Sequence, residues 1–274
     1  MQPIERPLDK AILKPQEAVR KFDLKQYEPS ATLSQWIEKF WTLSYDLAGE
    51  APFSQTVLSY PSVNLTLECE DGAWFAGVYG VPRSTFTRTL AGRGECFSVK
   101  FKPGGFYPFW RQPASRLTGR TVGVGELFGA AGEALARQLP AAREPEDRLG
   151  IMERFLLELR PELDEAAELA AQIVAAAAGD RGMIYVEDMA DRHGLSVRSL
   201  QRLLDRYIGV SPKWILQRFR LQEAAERIRQ GGAADWSALA ADLGYYDQAH
   251  FIRDFKSVVG QTPDAYARAS EAGR

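Results

Sequence analysis

Hydrophobic and polar positions follow two different periods along this chain. Trp41, Leu43, Tyr45 and Leu47 alternate with Thr42, Ser44 and Asp46, and Val63, Leu65 and Leu67 alternate with Asn64, Thr66 and Glu68. Phe97, Val99 and Phe101 alternate with Ser98 and Lys100. A period of two predicts half-buried strands. The turn residues Ala48-Gly49-Glu50, Glu70-Asp71-Gly72, Gly80-Val81-Pro82 and Gly92-Arg93-Gly94 separate them. Ahead of the first strand, Leu33, Trp36, Ile37 and Phe40 have helical spacing and predict a helix over Ser30–Lys39. Beyond residue 128 the period is helical throughout. Gly129–Arg160 reads as two helices, with Leu135 and Leu139, then Leu149, Met152, Phe155, Leu156 and Leu159, as their stripes. Pro161 resets the chain, and Leu163–Ala178 makes a further helix stopped at Gly179.

The last third contains one pattern written twice. Met189–Pro212 and Leu239–Pro263 align with Ala190 on Ala240, Gly194 on Gly244, Leu200 on Phe251, Arg202 on Arg253, Leu204 on Phe255 and Gly209 on Gly260. Each copy predicts a short helix, a turn in which glycine takes positive φ, and a second helix capped by Ser196 or Asp247. Helices joined in this way form a helix-turn-helix. In the first copy Leu200, Leu204 and Tyr207 make the apolar stripe, which leaves Arg198, Gln201, Arg202 and Asp205 outward. In the second, Phe251, Phe255 and Val258 pack inward, leaving Gln248, Ala249, Ile252, Arg253 and Lys256 outward. Arg and Gln can bond bidentately to guanine and adenine edges in the major groove. Between the copies, Pro212 opens a helix with no further Pro or Gly before Gly231-Gly232. At 1.5 Å per residue it spans about 28 Å, near the 34–36 Å between successive major-groove faces on one side of B-DNA.

These residues carry a resemblance. Gly182-Met-Ile-x-Val-x-Asp-Met-Ala190, Ser196-x-Arg-x-Leu-Gln-Arg202, Gly209-x-Ser-Pro212, Arg220-Leu-x-x-Ala224, Leu239-Ala240 and Gly260-x-Thr-Pro263 resemble the AraC/XylS transcription regulators. Their DNA-binding domain holds two helix-turn-helix motifs joined by a long helix. The resemblance implies that Arg198, Gln201, Arg202, Gln248, Ala249, Ile252 and Arg253 face DNA, as the helical periods also indicate. Lys102–Gly119 resembles the centre of an uncharacterised N-terminal domain fused to such regulators, although Tyr60–Leu65 lacks the Pro-Asp-Gly turn of those relatives.

With 274 residues and 45% apolar composition, the chain suits two domains. The expected class is α+β. Residues 1–26 form a lead-in, 27–128 a β-rich sensor or interaction domain, 129–161 a helical connector, and 162–274 an all-α DNA-binding domain. The connector either packs beneath the sensor or serves as the seam of a homodimer. A formal net charge of −2 excludes a generally basic coat, yet basic residues outnumber acidic ones between Arg198 and Arg229, predicting a local patch.

Cys69 and Cys96 show no C-x-x-C spacing and are read as small buried hydrophobes of a reducing cytosol, or else as a redox pair. No secretory segment opens the chain, and Ala166–Ala178 is too short to span a bilayer, so a cytoplasmic protein is expected. His193 and His250 lack ligand-spaced partners, and no nucleophile elbow or phosphate loop occurs, so neither a metal, a cofactor nor an enzyme is expected.

The expected partners are double-stranded DNA, a small-molecule effector and RNA polymerase. An N-terminal domain that binds only protein, or a DNA-tethered enzyme, is the alternative. Trp41, Tyr45, Trp74, Phe75, Tyr79, Phe86, Phe106, Tyr107, Phe109 and Trp110 form either an effector pocket or plain core, with Arg83, Arg88 and Arg111 as candidate anchors for an anion.

Overall fold

The computed structural model describes residues 3–4, 18, 20–58, 60–84, 86–231 and 235–272. Its N-terminal part is built on β1 (Asp23–Tyr27), β2 (Ile37–Leu47), β3 (Phe53–Val57), β4 (Asn64–Glu70), β5 (Ala73–Tyr79), β6 (Phe86–Leu90), β7 (Gly92–Phe101) and β8 (Thr121–Gly123). Six of these form a sheet in the order β1-β2-β7-β4-β5-β8, antiparallel throughout, and β3 pairs with β6 as a separate ribbon. The alternating stretches at 41–47, 63–67 and 97–101 thus become β2, β4 and β7, three adjacent strands of the sheet. Edge strand β1 starts inside the stretch read as a lead-in. Most of that lead-in, like Gly232, lies outside the described residues.

Register decides the two faces of the sheet. Phe40, Val99, Leu65 and Val78 stand opposite one another across four strands, as do Phe97 and Leu67, and all are buried in one core. The helices α2 (Val124–Ala141) and α3 (Pro145–Glu158) cover that face, contributing Leu135, Leu139, Leu149, Met152, Phe155 and Leu156. They answer to the two helices expected over Gly129–Arg160, but the helical run begins at Val124 and breaks at Gly129 (φ 56°, ψ −136°). A short α1 (Tyr107–Trp110) and a 3-10 turn (Ala114–Arg116) lie before β8.

The helix expected over Ser30–Lys39 does not form. Turns hydrogen-bonded to Ser30 O and Leu33 O occupy its first half, and the chain then enters β2 at Ile37. A ten-residue amphipathic run is marginal as an isolated helix, and the β2–β7 pairing overrides it. Leu33, Trp36, Ile37 and Phe40 are nonetheless all buried.

The remaining elements are helices: α4 (Glu165–Gly179), α5 (Val186–Arg192), α6 (Val197–Tyr207), α7 (Pro212–Arg229), α8 (Trp236–Asp242), α9 (Gln248–Val259) and α10 (Pro263–Ala272). The 18 residues of α7 connect two cores. Its first turns, with Ile215 and Leu216, enter the core of α4, α5 and α6, while Leu221, Ala224, Ala225 and Ile228 enter that of α8, α9 and α10.

Candidate nucleic-acid interface

Both motifs are built by the same local chemistry. Gly194 (φ 65°) and Gly244 (φ 73°) turn the chain in the left-handed region, which only glycine adopts at no steric cost. In each copy a backbone N–H then bonds back to the alanine that recurs in the repeat: Leu195 to Ala190 O at 3.0 Å and Tyr245 to Ala240 O at 2.9 Å. Ser196 Oγ accepts from Ser199 N at 3.1 Å to cap α6, and Asp247 Oδ1 accepts from His250 N at 2.6 Å to cap α9.

These caps and turns fix which way the second helices face. Leu200, Leu204, Phe251 and Phe255 are fully buried and Val258 nearly so, while Tyr207 is half-buried. Arg198, Gln201, Arg202 and Asp205 of α6 are exposed, as are Gln248, Ala249, Arg253 and Lys256 of α9. Ile252 is half-buried against the second core. Among the described residues, Arg198, Arg202 and Arg253 form no ion pair, so three guanidinium groups stand free on the two outer faces.

Three other members of the expected basic patch are buried or paired with carboxylates, which narrows that reading. Arg218 is buried, with its guanidinium over the Trp214 ring at 4.7 Å and its pKa pushed down to about 10 by burial. Its Nε and Nη1 have no hydrogen-bond partner among the described residues. Arg227 pairs with Glu223 (2.8 Å) and Asp242 (3.4 Å), and Arg229 pairs with Glu226. A charge count along the sequence cannot tell an arginine whose stem and head pack inward from one that faces solvent.

The far end of α6 meets the N-terminal part of the chain, a contact that periodicity did not reveal. Ser115 Oγ donates to Asp205 Oδ2 at 3.0 Å, and Thr118 Oγ1 donates to the Gly209 carbonyl at 2.6 Å. Tyr107 OH accepts from Arg206 Nε at 2.9 Å, and its ring lies 4.5 Å from that of Tyr207. Burial, and then Asp164, push the Tyr207 hydroxyl up to about 12. The second motif has its own link, with Leu58 buried in its core and Val57 packed against it, while the Tyr60 ring stands 5.9 Å from Phe219 of α7, which packs on the first core.

A cavity of about 530 Å³ lies under the second face of the sheet. Lys39, Trp41, Leu43, Tyr45, Thr66, Glu68, Tyr79 and Cys96 line it from the sheet, while Gln55, Val57, Phe86, Arg88 and Leu90 line it from the β3–β6 ribbon. Of the expected aromatics, Trp41, Tyr45, Tyr79 and Phe86 reach it. Phe106, Tyr107 and Phe109 are buried, Trp110 packs on the core, and Trp74 and Phe75 are exposed, so these six do not line the cavity. Arg83 and Arg88 also line the cavity, whereas Arg111 lies elsewhere, bonded to Arg160 O and 3.6 Å from Glu162. Inside, Glu68 takes Tyr79 OH at 2.5 Å and Arg88 at 3.0 Å, and Arg88 also pairs with Glu70.

The two cysteines are not a pair. Cys69 stands across from Glu95 and Cys96 from Glu68, one residue out of step on neighbouring strands, so they point to opposite faces. Both are free thiols, and burial pushes that of Cys96 up. Among the described residues no cluster of ligating side chains could hold a metal ion, and no helix is long and apolar enough to cross a membrane.

Comparison with known proteins gives two separate matches along the chain. Residues 189–269 match the model of a helix-turn-helix domain and residues 25–123 that of a domain of unknown function, DUF6597. The C-terminal third is thus an AraC-type helix-turn-helix domain. An uncharacterized HTH-type transcriptional regulator of Haemophilus influenzae is 31% identical over 85 residues, covering 31% of this chain and 28% of that protein. The HTH-type transcriptional activator RhaS of Pectobacterium carotovorum is 35% identical over 75 residues, covering 27% of this chain and 26% of RhaS. The match therefore spans little more than a quarter of the length of these relatives. Among solved structures, ToxT from Vibrio cholerae aligns over 90% of this chain and 97% of its own, with 11% identity and a TM-score of 0.37.

Proposed function

We propose that this chain, built on an AraC-type reader, is a one-component transcription regulator that binds duplex DNA in a sequence-specific manner. The observation that carries the reading is a pair of equivalent helices, α6 and α9, presenting free Arg and Gln side chains from opposite ends of the α7 strut. Arg198, Gln201, Arg202, Gln248, Ala249 and Arg253 are the groove-facing side chains, with Ile252 available to a thymine methyl group. Phosphate contacts supply most of the affinity, and these side chains supply the choice of sequence. Residues 162–274 are the reader, 129–161 the connector and 27–128 the sensor. The cavity supports an effector site, since its volume falls in the range of small-molecule pockets and its lining is mainly apolar with a few polar groups.

Selection of sites by the full chain from randomised duplex DNA, followed by footprinting, tests the reading. Two clusters of base preference about one helical turn apart are expected. A single cluster would leave one helix as the only reader and remove Gln248 and Arg253 from the specificity set. For the effector, a saturable thermal shift with a metabolite supports the sensor, and a shift with RNA polymerase alone favours a domain that binds only protein.

A further inference from the structure

The segment Lys102–Arg120 borders the cavity at Gly119 and Arg120, abuts the first reading helix and has an unusual charge. It carries Lys102, Arg111, Arg116 and Arg120 and no Asp or Glu, in a chain of formal net charge −2. Arg116 and Arg120 are exposed, and neither meets a carboxylate among the described residues. Arg116 Nη1 donates to Gln112 Oε1 at 3.0 Å, and Arg120 Nη1 to the Arg116 carbonyl at 3.3 Å. The 3-10 turn that holds Arg116 is fixed in place, because Ser115 bonds Asp205 and Thr118 bonds the Gly209 carbonyl. Asp205 lies seven residues beyond Arg198 and three beyond Arg202, on the outward stripe of α6.

The geometry points to an extension of the DNA surface onto the N-terminal domain: Arg116 and Arg120 hold backbone phosphates flanking the groove segment that α6 reads. This rests on the duplex-binding reading above. A guanidinium offers a planar fork of donors that matches a phosphate, and among the described residues these two have no protein anion to compete for them. Carried on a turn clamped to the end of the reading helix, they need little ordering when DNA arrives. Contacts of this kind set position and affinity but carry no sequence information. The N-terminal domain would therefore tune how strongly the first motif seats without changing what it reads.

The test is the full-length double variant R116Q/R120Q, titrated with cognate and random duplex DNA over a range of salt. Each lost phosphate contact makes the log K against log[salt] slope shallower by about 0.9. The expected result is a slope shallower by about 1.8 for the pair, equal proportional losses on both DNAs, and an unchanged melting temperature. R198A, as the internal comparison, should lose affinity mainly on the cognate site. An unchanged slope in the double variant, with R198A behaving as expected, overturns the proposal and leaves the regulator reading intact. Tighter binding by the double variant also overturns it and makes the turn a shield over the groove. Failure of the wild-type chain to bind either duplex at low salt would instead remove the DNA-binding reading itself.

Discussion

The two helix-turn-helix motifs share their turns, caps and packing alternation, yet they sit in different company. The first ends against the N-terminal part of the chain, with Asp205, Arg206 and Gly209 each hydrogen-bonded to it. The second is enclosed by α7, α8 and α10, with Leu58 buried among them and Val57 packed against them. Local sequence thus makes two similar readers, and residues outside the repeat decide which one the N-terminal domain grips. On the proposed reading, the first motif is the point at which a change beneath the sheet would reach the DNA surface directly. The second meets the N-terminal part through Val57 and Leu58.

Gly209 and Gly260 occupy equivalent places in the repeat and both lie in the left-handed region, at φ 92° and 87°. Alanine at either site meets a backbone penalty of about 1–2 kcal/mol. Gly209 is buried as well, and a Cβ there would stand 2.6 Å from Thr118 Oγ1 and 2.9 Å from the Ala114 backbone, whereas Gly260 is exposed. Overpacking adds about 1–3 kcal/mol, so Gly209→Ala should lose about 2–5 kcal/mol and Gly260→Ala only the first part. Chemical denaturation of the two variants measures both. Equal losses would mean that the first motif is no more firmly docked than the second.

Base reading distinguishes the motifs next. Arg198→Ala, Arg202→Ala and Arg253→Ala should each lose about 1–3 kcal/mol on the cognate site and much less on random DNA. Arg253 shares its outer face with Ala249 and the half-buried Ile252, so the second motif has fewer polar side chains to compensate. Competition binding with paired cognate and random duplexes reads this out. A loss shared equally by both DNAs would reassign that arginine to the phosphate backbone.

Much of this was legible in the sequence because it depends on neighbours along the chain. Ser196, Asp247, Gly194 and Gly244 announce their roles through spacing alone, as do the alternating strands β2, β4 and β7. What stayed hidden depends on pairing between distant segments. Trp41 and Tyr45 read as the buried face of a half-exposed strand, but both faces of β2 are covered, one by helices and one by the β3–β6 ribbon. Phe40 therefore points into the core and Trp41 into the cavity. The ribbon itself is short and mostly polar, in FSQTV and FTRTL, and it gives little periodic signal. Likewise, nothing in the run WILQRFRL separates buried Arg218 from a solvent-facing arginine.

The smallest effect bears most closely on the difference between the motifs. Thr118→Val keeps the shape of the side chain and removes the hydroxyl that donates to the Gly209 carbonyl at 2.6 Å. A buried hydrogen bond between neutral groups contributes about 1 kcal/mol, and a loss of that order is expected in the denaturant midpoint. Its distribution is more telling than its size. The Gly209 carbonyl sits just after α6, so the first motif should open more often while the second, which has no such bond among the described residues, keeps its stability. Amide hydrogen exchange separates the two: faster exchange in α6 with α9 unchanged is the expected outcome. If the amides of α9 accelerate to the same extent, α7 couples the motifs into one cooperative unit. The N-terminal grip on the first would then be felt equally by both.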